Sequence, residues 1–202
     1  GNYFDTYFNY SLVYDLRNKS FRPDEGFRNS FSQELPIMSD NYEILNSFET
    51  TRYQKISEMV TKVSFYGKAI NTLSGDDVRI SKRLFIPGSK LRGFESGKIG
   101  PIENNDYIGG NYVSAINFSA TLPQLLPSFQ NMDFSLFVDA ANVWGVDYDS
   151  AINDNSKIRS STGIGLDLLT PVGPLSFSFS QPITKNSSDT TETFRFNLGT
   201  TF

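Results

Sequence analysis

Neither cysteine nor histidine occurs anywhere in the 202 residues. With them go thiolate nucleophiles, disulfides, imidazole general bases and most transition-metal sites. A serine hydrolase, including a barrel-borne phospholipase, would need a base that the chain does not possess, so no enzymatic activity, cofactor or metal is expected. Long apolar runs are missing too: no stretch of about 18 apolar residues is present, which excludes a transmembrane helix. Basic residues are in deficit, 18 Lys and Arg against 22 Asp and Glu for a formal charge of −4. Without a basic stripe, nucleic acid is not an expected partner. The first ten residues lack the charged and apolar regions of an export signal, so an exported protein would be expected to carry sequence upstream of Gly1.

What is present is apolar and aromatic material in alternation. Apolar residues make up 38% and aromatics 14%, with 18 Phe and 10 Tyr. Period-two patterning runs through nearly the whole chain, and no segment shows a convincing helical period. Phe8, Tyr10, Leu12 and Tyr14 alternate with Asn9, Ser11 and Val13, and strands are expected over 27–35, 42–55 and 57–70. The second half is cleaner. Ile116, Phe118 and Ala120 oppose Asn117, Ser119 and Thr121; Phe134, Leu136 and Val138 oppose Ser135, Phe137 and Asp139. Ile164, Leu166 and Leu168 oppose Gly163, Gly165 and Asp167, and Leu175, Phe177 and Phe179 oppose three serines. The last strand sets Phe194, Phe196, Leu198 and Phe202 against Arg195 and Asn197.

Two architectures share this pattern. A soluble sandwich buries its apolar faces against each other, whereas a transmembrane barrel turns them to lipid and keeps polar groups inside. The negative mean hydropathy of −0.32 does not separate them, because barrel strands average to a polar-looking sequence. Aromatics near strand ends favour the barrel, where they form girdles at the membrane interface. Pro36, Pro123, Pro127, Pro171, Pro174 and Pro182 are placed mostly at strand ends, where a missing ladder donor costs little. The polar stretches 147–157 and 184–191 read as turns or exposed loops, and Trp144 as an interfacial anchor.

One long segment breaks the meander. It holds Leu91-Arg92-Gly93-Phe94, followed by Ile99-Gly100-Pro101. Around it lie Gly109-Gly110-Asn111, Phe137-Val138-Asp139-Ala140 before Val143-Trp144, Thr170-Pro171-Val172-Gly173-Pro174 and Gln181-Pro182. The end, Phe194-Arg-Phe-Asn-Leu-Gly199-Thr-Thr-Phe202, has the alternation, glycine and aromatic terminus of an outer-membrane β-signal, and 15–23 holds a Phe-x-Pro turn. In these residues and their order the chain resembles the BamA family of outer-membrane assembly factors, within the bacterial surface antigen superfamily. Leu91 stands where that family usually has valine.

The resemblance implies an all-β antiparallel meander of about nine strands, forming the C-terminal half of a transmembrane barrel of about sixteen. Residues 1–202 would be one partial barrel domain, open if isolated, with a long inward loop over about residues 72–110. It further implies that the loop folds into the lumen and that Arg92 pairs with an aspartate on the wall. A guanidinium inside a lumen needs such a partner, since leaving it unpaired costs several kcal/mol, and Asp139 has the inward register. Gly93 would permit the tight turn and Phe94 would anchor the tip by packing. Phe194, Phe196, Leu198, Gly199 and Phe202 would form the β-signal and one side of the barrel seam. Implied partners are outer-membrane lipids, client β-barrel proteins and assembly-complex lipoproteins, at the bacterial outer membrane. A TamA-like factor or two-partner secretion translocator would share the loop motif. A small passive porin-like or adhesin barrel, or a sandwich carbohydrate-binding module, are the readings from other classes.

Overall fold

The computed structural model describes residues 4–123, 131–152, 157–171 and 173–198. Among the described residues there are eleven strands: β1 (Asp5–Asp15), β2 (Gly26–Ser39), β3 (Glu43–Ile56), β4 (Met59–Thr72), β5 (Ile102–Glu103), β6 (Asp106–Tyr107), β7 (Tyr112–Thr121), β8 (Met132–Trp144), β9 (Arg159–Thr170), β10 (Gly173–Thr184) and β11 (Phe194–Leu198). Nine of them build one antiparallel sheet in the order β1-β2-β3-β4-β7-β8-β9-β10-β11, while β5 and β6 form a small separate hairpin. This is the open, nine-stranded meander that the alternation calls for. Among the described residues, helix is confined to two 3-10 turns, Ile80–Lys82 and Gly88–Lys90.

The faces follow the parity read from the sequence. In β8, Ser135, Phe137, Asp139 and Ala141 are buried, whereas Leu136 and Val138 are about half exposed at 49% and 46%. The same outward set continues with Phe65 in β4, Ile116 and Phe118 in β7, Ile164 in β9, Phe179 in β10 and Phe194, Phe196 and Leu198 in β11. These apolar side chains do not close on a second sheet. Neighbouring strands lie about 4.8 Å apart, so a flat sheet would separate β2 from β8 by about 19 Å. Arg22, in the link between β1 and β2, nevertheless meets Asp133 of β8 at 2.7 Å. The sheet therefore curls, with the apolar face outside.

Pro36 and Pro182 lie inside β2 and β10, not at strand ends. Both mark a break of register: the β1–β2 ladder shifts where Tyr7 meets Pro36, and the β9–β10 ladder shifts between Pro182 and Thr184. At each shift the residue left out of the ladder is the isoleucine after the proline, Ile37 or Ile183, so the missing proline N–H falls where the ladder is already disrupted. Pro127 lies outside the described residues.

The link between β4 and β7, residues 73–111, folds onto the inner face. Its Ile86, Leu91, Phe94 and Ile99 form a buried cluster with Tyr66 of β4, Val113 and Ala115 of β7, and Ala141 and Val143 of β8. A uniformly small or polar inner face is thus realised only away from the loop. Beneath it the loop excludes water and supplies apolar partners, and each fully buried Val or Leu side chain there contributes roughly 1.5–3 kcal/mol.

Packing of the inner wall is tight at Gly163. A Cβ at that position would lie 2.6 Å from Phe137 Cζ and 2.1 Å from the backbone oxygen of Phe179. The second contact is backbone and cannot swing aside. Gly163→Ala is expected to lower stability by about 1–3 kcal/mol, seen as a lower urea midpoint for loss of the folded band in gel-shift assays. An unchanged midpoint would contradict this packing.

Candidate functional site

Arg92 meets Asp139 through a two-pronged fork. Its Nε donates to Oδ2 at 2.7 Å and Nη2 to Oδ1 at 2.7 Å, while the Arg92 backbone N–H also donates to Oδ2 at 3.1 Å. Asn117 of β7, directly opposite Asp139 in the ladder, adds a fourth bond to Oδ1 at 2.9 Å. Asp139 is fully buried, and these donors occupy the acceptor sites of its carboxylate. Such saturation matters because removing a carboxylate from water is offset only by good geometry and complete hydrogen bonding. The guanidinium is also stacked over Phe137, with Cζ 3.4 Å from the ring centroid, a cation–π contact on the preceding inward position of the same strand.

The neighbouring loop residues are held as closely. Asn117 Nδ2 also donates to Lys90 O at 2.8 Å, and Ser161 of β9 donates its hydroxyl to Arg92 O. Gly93 has φ of +89°, a conformation that L side chains rarely adopt. Its backbone passes close to the wall: a Cβ there would lie 3.1 Å from Ser161 Cβ and 3.2 Å from Ser180 Cβ. Phe94 is 1% exposed and packs in the apolar cluster. The structure therefore brings Arg92, Gly93, Phe94 and Asp139 together. Phe194, Phe196 and Leu198 stand apart from them on the outer face of β11, and Gly199 and Phe202 lie outside the described residues. Trp144 stacks on Tyr112, with ring centroids 5.8 Å apart.

Below the fork, towards the β7–β8 link, lies a cavity of about 290 Å³ whose lining includes Glu49, Lys62, Arg92, Asn117, Asp133 and Asp167. Both signs of charge face it. Among the described residues no group of three or more His, Cys, Asp or Glu is placed to hold a metal ion.

Three further arginine anchors were not foreseen. Arg83 pairs with Asp147, and its guanidinium sits over Tyr148 at 4.7 Å. Asp147 also accepts Val78 N–H at 3.0 Å and Asn111 Nδ2 at 2.8 Å. Burial opposes its ionisation, yet these bonds and the guanidinium hold its carboxyl below the usual carboxylate range. Arg79 reaches Asp5 at 2.8 Å and Glu43 at 3.3 Å, tying the loop to β1 and β3. Arg159 pairs with Asp189 at 3.0 Å, both side chains almost wholly buried, and donates to Asn142 at 2.9 Å. The stretches 147–157 and 184–191 thus supply arginine-paired carboxylates, the partly exposed Asp147 and the buried Asp189, beyond the solvated turns their composition suggests. Arg159 shares the inward parity of Ser161 and Gly163, a signal that could have found it. For Arg79 and Arg83 the partners are distant in sequence and no local pattern announces them.

A curled sheet that turns its apolar side outward, and latches a charged loop inside, is wall from a transmembrane β-barrel. The Omp85 superfamily domain matches residues 1–202, and the chain belongs to that superfamily. It is 25% identical over 199 residues to the outer membrane protein assembly factor BamA of Neorickettsia risticii, covering 96% of this chain and 27% of that protein. Against the protein of the same name from Neisseria meningitidis it is 32% identical over 141 residues, 55% of this chain and 17% of that one. A crystal structure of BamA from Haemophilus ducreyi lacking POTRA domains 1-3 superposes with a TM-score of 0.87 at 28% identity, covering 96% of this chain and 42% of that chain. The chain spans under half the length of each.

The fork makes a direct prediction. Asp139→Asn keeps the shape but removes the charge, leaving Arg92 poorly compensated at a cost on the order of 3 kcal/mol. Trypsin should then cleave after Lys90 and Arg92 in the otherwise folded protein. Resistance equal to wild type would show that the fork does not hold the loop.

Proposed function

We propose that the chain is part of a bacterial outer-membrane assembly factor that helps fold and insert β-barrel proteins. The observation that carries this reading is the Arg92–Asp139 fork: a loop tip drawn inside the wall and bonded from β7, β8 and β9 at once. A passive pore has no need of so specific a connection between loop and wall. The long relatives named as assembly factors, matched across nearly all of this chain, support the same reading.

In this role the sheet is one side of a barrel in the outer membrane. Its apolar band meets lipid, and its terminal strand, led by Phe194, Phe196 and Leu198 with Gly199 and Phe202 beyond, offers an edge on which client strands pair by β-augmentation. Arg92, Gly93, Phe94 and Asp139 set the loop that stands behind that edge. The chain works by positioning strands and lipids, without covalent chemistry. Accessory lipoproteins are the partners expected on the exposed links at the strand ends.

Two measurements test this. Arg92→Ala in the intact protein, reconstituted in liposomes, is expected to slow insertion of an unfolded client barrel by about tenfold, or ~1.4 kcal/mol in barrier height; a wild-type rate removes the assignment. Leu136→Arg on the outer face should cost about 2–4 kcal/mol in a bilayer if the position lies near the midplane. Equal stability of that variant and wild type in lipid would contradict a hydrocarbon-facing surface.

A further inference from the structure

The segment leading into β11 does not extend the β10 ladder. Among the described residues the two strands pair from Leu175 with Leu198 to Phe179 with Phe194, with one further bond from Ser180 N–H to Thr193 O at 2.8 Å. Before that point the chain turns to the inward loop instead. Glu192 N–H donates to Gly93 O at 3.1 Å, Glu95 N–H to Thr190 O at 3.0 Å, and Thr190 N–H to Lys98 O at 3.1 Å; Phe94 and Thr191 are antiparallel bridge partners. The loop tip is in effect a short extra strand laid along residues 190–192.

One side chain of β11 crosses the same junction. Arg195 faces inward between the outward Phe194 and Phe196, with 11% of its side chain exposed. Its Nη2 donates to Phe94 O at 2.6 Å and its Nε pairs with Glu192. The guanidinium lies against Gly88, where a Cβ would sit 2.2 Å from Nη1 and 2.7 Å from Cζ. Loop residues on two sides therefore enclose a charge that belongs to the terminal strand.

We propose that Arg195 is a positioning residue that fastens the beginning of the terminal strand to the inward loop. The carbonyls that receive Glu192 N–H and Arg195 Nη2 belong to Gly93 and Phe94, which follow Arg92 directly. Any change that releases the Arg92 fork thus frees both acceptors, and the state of the loop is passed to the strand. The consequence for client entry rests on the assembly reading above; the fastening itself rests on geometry.

Amide hydrogen exchange on the intact protein in lipid tests this, with client insertion measured in parallel. In Arg195→Ala, amides 190–193 should exchange on the order of tenfold faster, the size of one lost charge-assisted hydrogen bond. Arg195→Lys, which keeps a cation able to reach Glu192 and the Phe94 carbonyl, should restore protection. Gly88→Ala displaces the guanidinium without removing it and should shift exchange in the same direction as Arg195→Ala. Arg92→Ala should expose the same amides, and insertion should slow in Arg195→Ala and recover in Arg195→Lys. Unchanged protection of 190–193 in Arg195→Ala overturns the proposal, as does a uniform rise through β8, β9 and β10, which would mean general destabilisation. So does a wild-type insertion rate in Arg195→Ala where Arg92→Ala is slow. Lost protection with wild-type insertion in both variants supports the fastening and sinks the assembly reading alone.

Discussion

A buried carboxylate with four donors around it is the constraint on which the rest of the inner face depends. Asp139 is held away from solvent with its acceptor sites filled, three of them by N–H groups of Arg92 and the fourth by Asn117. Arg92 can be brought there only if the loop comes inside, and the loop comes inside only if its apolar residues find apolar partners on the wall. The Ile86, Leu91, Phe94 and Ile99 cluster answers that requirement. Polar and apolar contributions are therefore not alternatives here: the burial that stabilises the cluster removes the water that would otherwise compete for the fork.

Charge pairs repeat along the loop, but in graded environments. Arg83 is wholly buried at its guanidinium end, Arg79 is largely buried, and Lys82 reaches Glu34 with about a third of its side chain exposed. Exposed pairs contribute little, whereas breaking a buried one is strongly destabilising. The loop is accordingly held most firmly where Arg92 meets β8 and Arg83 meets the link after it, and more loosely where Lys82 passes over β2.

Much of this was legible in residue order, for a simple reason. Strand parity is a local property, so the inward placement of Asp139 and the outward placement of Leu136 and Val138 follow from neighbours two positions away. The family likeness then brought Arg92 to Asp139, two residues whose link no periodicity could reveal. Long-range electrostatics stayed hidden. Asp147 and Asp189 lie in segments whose Asn, Asp and Ser content describes a solvated turn equally well, and only the third dimension shows that each faces an arginine. Val113 and Val143 depart from a polar inner face, and the reason, the apolar loop cluster above them, lies outside their own strands.

The serines and glycines of β9 and β10 acquire a meaning from the loop's closeness. Ser161 and Ser180 stand just over 3 Å from where a side chain on residue 93 would begin, so the wall is recessed where main chain has to pass. The strands carry an imprint of their guest, like a mould that keeps the outline of a casting. Bulk added to either serine would lift the tetrad off the wall, and the fork would open from beneath without any charge being touched.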